Sequence, residues 1–267
     1  MNSLRHQALA VLTTADPRAK AARARALDAS AGIGADEVLD EPPGLPARPA
    51  RPELVPHTQV PSRSIRSPDG PALLVHAIAH IELNAIDLAC DVIWRFPGQP
   101  EAFYIDWAQV AREEALHFSL LADHLERRYD RHYGDFPAHN TLWDMAERTR
   151  GDVLARVALV PRLLEARGLD ASPAVREKLA SIGDTDGAAI IDLILRDEIG
   201  HVAFGNQWFG WLCAQRGLDM AEEWPRLVAA YDAPPPRPPF NVDARRRAGF
   251  TDDEIATLGR RDRPASG

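Results

Sequence analysis

Six side chains in this sequence form a pattern suited to holding metal. Glu114 and His117 are three residues apart, and so are Glu198 and His201. On a helix that spacing puts both members of a pair on one face, where the carboxylate can bridge two ions while the imidazole binds one of them. A further glutamate precedes each pair, and the interval from Glu82 to Glu114 is within one residue of that from Glu165 to Glu198. By chance alone, about 0.5 Glu-x-x-His matches are expected in a chain of this length and composition, so one match means nothing. The weight rests on the repeated order, a glutamate followed by Glu-x-x-His.

Four carboxylates gathered in an interior raise one another's pKa, whereas two divalent cations neutralise the set. Four oxygen-type and two nitrogen ligands suit iron or manganese better than zinc or calcium. Glu165 lies four residues after Pro161, whose missing N–H distorts the turn and can aim the carboxylate. Glu147 and Asp152 are substitutes for it with poorer spacing. Asp197, next to Glu198, is placed to accept the N–H of a liganding histidine from a neighbouring helix. Glu113 faces about 100° away from Glu114 and reads as a surface or ion-pair residue. His76 and His80 lie off the Glu82 direction and read as surface or packing residues. Trp94, Trp107, Trp143, Trp208, Trp211 and Tyr104 read as core or rim aromatics.

These ligands need helices to carry them. Between Pro71 and Gly217 apolar residues recur at a period near 3.6, and no alternating stretch of five residues suggests a strand. Four helices are predicted. The first opens after a capping Asp69 and ends at Phe96-Pro97-Gly98, and the second runs from about Glu101 to Tyr133. The third opens at Asn140 or Thr141 and ends by Gly168; the fourth begins at Ser172-Pro173, is disturbed at Gly183 and Gly187, and ends near Arg216. Short connections make the first two and the last two antiparallel hairpins, and two hairpins make a four-helix bundle. Glu82 interrupts the apolar stripe Val75, Ile78, Ala79, Ile86, Ala89 and Ile93. Glu114 and His117 lie on the stripe of Phe103, Trp107, Val110, Ala111, Phe118, Leu121 and Leu125. Glu198 and His201 interrupt that of Ile191, Ile194, Leu195, Val202, Trp208, Phe209 and Leu212.

Around this core (68–217) lie two extensions. Residues 1–67 hold two short helices, Leu4 to Leu12 and Pro17 to Leu27, and a Pro-rich arm whose prolines cluster between Pro42 and Pro71. Residues 218–267 form a helical and irregular extension expected to pack on the bundle, with short helices near Asp243 to Ala248 and Thr251 to Leu258. The chain has 267 residues, 45% hydrophobic and 26% charged, and a formal net charge of -8. That balance argues against a nucleic-acid binder, and the basic runs Arg18 to Arg25 and Arg245 to Arg247 read as solvated helix faces. Cys90 and Cys213 read as small core residues. The first 20 residues lack a signal-peptide pattern and no run of uncharged apolar residues reaches membrane-spanning length, so the cytoplasm is the expected compartment.

The sequence also resembles the bacterial ferritin-like domain-of-unknown-function family. The likeness rests on His80-Ile81-Glu82-Leu83-Asn84, Trp94-Arg95-Phe96-Pro97-Gly98, Arg112-Glu113-Glu114-Ala115-Leu116-His117, Tyr133-Gly134-Asp135-Phe136-Pro137, Leu159-Val160-Pro161-Arg162-Leu163-Leu164-Glu165 and Asp197-Glu198-Ile199-Gly200-His201. It spans about residues 68 to 250 and implies an all-α ferritin-like bundle with a di-metal carboxylate site at Glu82, Glu114, His117, Glu165, Glu198 and His201. The ligand order is more distantly similar to that of di-iron tRNA hydroxylases acting on a modified adenosine. The resulting expectation is a di-iron oxidase or monooxygenase that uses O2, a small-molecule substrate and an external electron donor. Ferroxidase or iron storage, manganese catalase, and a non-catalytic binding bundle are the rival readings. The arms could cover the site or meet a second subunit in a homo-oligomer.

Overall fold

The computed structural model describes residues 3–258, which are all-helical apart from loops and one isolated bridge, Leu54 to Ala138. The chain divides into two compact units: Met1–Val153 with Ala174–Ile194, and Leu154–Pro173 with Leu195–Gly267.

The first unit holds α1 (Leu4–Leu12), α2 (Pro17–Arg25), α3 (Gly70–Arg95), α4 (Glu101–Tyr129) and α5 (Thr141–Arg148). Asp16 caps α2 by accepting from the Ala19 N–H, and Pro17 supplies the pre-set first turn. α3 packs along α4. Their connection turns at Gly98, whose φ of +74° favours glycine. The turn is closed by Tyr104, whose hydroxyl donates to the Phe96 carbonyl at 2.8 Å and accepts from the Gln99 N–H at 3.1 Å. The expected stripes are buried on both helices, with Ile78 alone half-buried among the named α3 residues. By length and composition α3 could cross a membrane, but 78% of its most apolar window is buried inside the protein, as in a core helix. Asp69 does not cap α3 with its side chain; it accepts instead from Arg63 and Arg131, both at 3.2 Å.

Two buried cations fasten the N-terminal helices to α3. The Arg5 Nε donates to the Ile93 carbonyl at 3.1 Å and its Nη2 to that of Trp94, so the guanidinium caps the C-terminal end of α3 where carbonyls lack helical partners. Lys20 belongs to a run expected on a solvated face, yet it is buried, and its Nζ donates to Asp87 and to the Ala47 carbonyl. The Pro-rich arm is extended, with one 3-10 turn at His57–Gln59. It pairs with the chain after α4 through Val55 N–H to Ala138 O (2.8 Å) and Ala138 N–H to Glu53 O (2.9 Å).

α6 (Val153–Leu159), a π-helical segment (Val160–Glu165) and α7 (Ala166–Ala180) follow without a break. The turn expected between Gly168 and Ser172 does not exist; the chain instead turns after Ala180, where Gly183 has φ +74°. Pro173, the expected start of a helix, instead sits inside α7, where its missing N–H leaves the Leu169 carbonyl without its helical donor. The Asn241 Nδ2 donates to that carbonyl at 3.1 Å, and the Ser172 hydroxyl to Gly168 O at 2.7 Å. α8 (Thr185–Gln215) opens on Asp184, whose Oδ1 accepts from the Gly187 N–H at 3.0 Å.

The second unit continues with α9 (Met220–Ala230), α10 (Val242–Arg247) and α11 (Asp252–Thr257). The last two match the expected short helices; α9 was not expected. Its start is encoded by Asp219, which accepts from Ala221 and Glu222 N–H, but Pro225 inside it masked the pattern. Ala166, Leu169, Ile199, Val202, Ala244, Ala248 and Phe250 form one apolar cluster of this unit. Arg245, also expected in solvent, is buried in it: Nε and Nη2 donate to Asp170 at 3.0 and 2.6 Å.

Candidate metal centre

Three of the six expected ligands meet within the first unit. Glu82 projects from the middle of α3, and Glu114 and His117 project from successive turns of α4. All three are buried, Glu114 and His117 completely. His117 Nδ1 lies 3.1 Å from Glu82 Oε2 and 3.4 Å from Glu114 Oε2. Each residue offers a ligand atom, and these atoms lie within 4.8 Å of one another. Two amphipathic helices packed side by side give this result because the polar residues occupy core-facing positions of their stripes.

The electrostatics of the cluster are those of buried carboxylates crowding one another and an imidazole between them. Burial, and then the neighbouring Glu114 carboxylate, push the Glu82 carboxyl up to about 8, while His117 opposes the rise. Burial alone would lower the His117 imidazole, but the carboxylates of Glu114 and Glu82 outweigh it and push its pKa up to about 11. Both shifts retain protons at neutral pH. A divalent cation can replace those protons, leaving both carboxylates ionised and the imidazole neutral, which is the state each uses as a ligand.

In the second unit, Glu198 and His201 are buried on one face of α8, with His201 Nδ1 3.5 Å from Glu198 Oε1. Glu198 Oε2 is buried and has no hydrogen-bond partner among the described residues. An oxygen in that condition is costly unless something else, such as a cation, meets it. A Cβ built on Gly168 would come within 3.9 Å of this oxygen, so the glycine of α7 faces the carboxylate. Glu165, half-buried, closes the π segment. Such segments are rare, short and frequent at functional sites. Gly205 of α8 approaches this segment closely, since a Cβ there would lie 3.0 Å from the Pro161 Cβ. Two carboxylates and an imidazole gathered in the first unit are a donor set that could hold a metal ion.

The other expected residues divide. Asp197 is largely buried and accepts from Arg196 Nε at 2.8 Å. Glu113 accepts from Gln109 at 3.1 Å, in keeping with an ion-pair or surface role. Glu147 pairs with Arg150 on an exposed side chain, which removes it as a substitute for Glu165. His76 and His80 are buried packing residues rather than surface ones. His76 Nε2 accepts from the Gly134 N–H at 2.9 Å, and His80 Nδ1 lies 2.8 Å from the Tyr133 hydroxyl. Trp94, Trp107, Trp143, Trp208 and Tyr104 are buried, as core aromatics should be. Cys90 and Cys213 are free and buried. Sequence reading assigned no role to Arg162, a buried cation three residues before Glu165. Its one signal was a charged residue inside the apolar run Leu159 to Leu164.

A family model described as protein of unknown function (DUF455) matches residues 13–256. An uncharacterized protein of Haemophilus influenzae is 47% identical over 218 residues, which cover 79% of this chain and 75% of its own. No solved structure matches. A match over most of the length, joined to a relative of that identity, shows that the chain belongs to the DUF455 family.

Proposed function

We propose that the two sets, Glu82, Glu114 and His117 with Glu165, Glu198 and His201, close on one di-iron centre in a ferritin-like four-helix bundle spanning residues 68–217, and that the protein is an O2-using oxidase or monooxygenase. The observation that carries this reading is the buried Glu82–Glu114–His117 cluster, which gathers two carboxylates and an imidazole whose ligand atoms lie within 4.8 Å of one another. The near-equal spacing of the second set, and the buried unpartnered oxygen of Glu198, support extending it to two ions.

Ferrous ions held by Glu82, Glu114, His117, Glu165, Glu198 and His201 would, when bound, provide the electrons for O2 reduction, and an external donor would restore them. The chain's own contribution is to hold the ligands dry and oriented. Complete burial of Glu114 and His117 keeps water from competing for the ions, and the tilt of the cluster towards protonation gives way to metal as pH rises. Ala85, Ala89 and Ala111 are small and buried on the ligand-bearing helices, where larger side chains would fill space a substrate could use. Asp197 is proposed as the acceptor that orients a liganding imidazole. The reading places the protein in the cytoplasm, without nucleic acid as a partner.

Metal analysis of the purified native protein tests this. Two irons per chain and an O2-dependent absorption change are expected. Manganese with rapid peroxide disproportionation would replace the reading by catalase, iron uptake without substrate oxidation by ferroxidase, and a metal-free protein of equal stability by a structural bundle. Glu198→Ala is expected to lose at least one ion, and retention of both would strike Glu198 from the ligand set.

A further inference from the structure

We infer that the C-terminal tail is a clasp for the π segment, and that Arg162 and Glu254 are positioning residues that hold Glu165 in its ligand orientation. The inference rests on the di-metal reading above. Pro161 lacks the N–H that a regular helix would use, so Val160–Glu165 winds as a π segment, which is intrinsically less stable than the α-helix on either side. Such a segment needs support from outside itself. Arg162 supplies a point of attachment at its centre.

The Arg162 guanidinium is 2% exposed and lies among three rings, 4.2 Å from the centroid of Trp224, 5.0 Å from Phe250 and 5.1 Å from Phe209. Its Nη2 donates to Glu254 of α11. Burial lowers the Arg162 pKa, opposed by the Glu254 charge, but arginine remains a cation at any physiological pH. A buried cation of this kind is stable only while its partners stay in place. Two of the three rings and the carboxylate lie in the tail, so release of the tail would leave Arg162 facing solvent-seeking alternatives that unwind the turn.

The carboxylate is itself fixed. While one Glu254 oxygen accepts from Arg162, the other accepts from the Thr251 N–H at 2.8 Å, and the Thr251 hydroxyl accepts from the Glu254 N–H at 3.2 Å. This capping box at the start of α11 pre-orients the acceptor. Earlier in the tail, on α10, the Arg245 guanidinium also lies over the Phe250 ring, 5.1 Å from its centroid, while donating to Asp170 on α7. The clasp therefore holds the chain on both sides of Glu165.

The test compares the full-length protein with Glu254→Gln and Glu254→Asp in two measurements: hydrogen exchange over residues 160–168, and titration of the metal-free protein with ferrous iron under anaerobic conditions. The Gln variant is isosteric but neutral. It is expected to speed exchange in this segment and to weaken the second iron by about 10-fold, the scale typical of lost outer support for a ligand. Asp is expected to restore much of both. Faster exchange with unchanged iron affinity would overturn the positioning role, and so would unchanged exchange. If the unaltered protein takes up no iron, the di-metal reading itself fails and the inference falls with it, an outcome distinct from the other two.

Discussion

The two glutamates that precede the Glu-x-x-His pairs stand on different kinds of backbone. Glu82 sits in the middle of α3, an uninterrupted helix of 26 residues packed along α4 and fastened at its end by Arg5 and along its length by Lys20. Glu165 ends a π segment that begins beside a proline, and the residues securing that segment come from the far end of the chain. The ligand order is nearly the same in both halves, but the mounting is not. Regular helix packing fixes one carboxylate through many weak contacts, while the other depends on a few strong, long-range ones. A repeated order of glutamates and histidines thus does not require a repeated scaffold.

The largest effect is expected where the first mounting is attacked. Lys20 and Asp87 are both buried, and Lys20→Met strands the carboxylate in the interior at a cost of about 3–5 kcal/mol. Urea unfolding checks this. The double variant Lys20→Met, Asp87→Leu should recover most of the loss, because it removes the stranded charge as well. If the double variant proves as unstable as the single one, Lys20 does not act through Asp87, and the contrast between the mountings loses its first half.

Acid should distinguish the mountings next. Burial pushes the His76 imidazole down to about 4, so the folded state holds it neutral, stacked on Tyr133 with centroids 5.3 Å apart. The unfolded chain takes up a proton near pH 6.5 and the folded one does not until about pH 4. Stability from this group is therefore present above 6.5 and lost as pH falls between those values, by roughly 3 kcal/mol in all. Equilibrium unfolding of the metal-free protein between pH 7 and 4.5 should show the loss, and His76→Gln should reduce the slope. An unchanged slope would mean that His76 does not titrate as its surroundings demand. The Arg162 clasp holds no imidazole, and its guanidinium keeps its charge throughout the range.

Sequence spacing makes the apolar stripes of α3, α4 and α8 and the Glu and His residues within them legible because a helix repeats every few residues, so a glutamate in an apolar stripe announces its own burial. What it could not show were partners distant in sequence. Lys20 and Arg245 look like members of basic surface runs until Asp87, 67 residues away, and Asp170, 75 residues away, are placed beside them. Pro173 looks like a helix start for the same reason. Nothing near it in the sequence offers a donor for Leu169 O, and the one that serves, from Asn241, is 72 residues downstream. Arg162 went unassigned because its rings and carboxylate belong mostly to the tail. The helix stripes of the first mounting are readable from local pattern, whereas its Arg5 and Lys20 fastenings and the whole of the second mounting depend on partners far away in the sequence.

That difference gives the smallest prediction and the most local one. Asn241 does two things at once: its Nδ2 donates to the carbonyl that Pro173 leaves without a partner, and its Oδ1 accepts from the Ala244 N–H at 3.2 Å to cap α10. Asn241→Ala removes both bonds and should cost about 1–2 kcal/mol. Replacing Pro173 by Ala in the same chain returns an N–H to the helix, so the Leu169 carbonyl regains a donor and part of the loss should be repaired. The repair should appear as slower hydrogen exchange around residues 169–173, while α10 stays loosened because its cap is still missing. Should Pro173→Ala stabilise the parent and the Asn241→Ala variant by the same amount, the two residues are not coupled, and the proline in α7 is tolerated for a reason other than the asparagine that faces it.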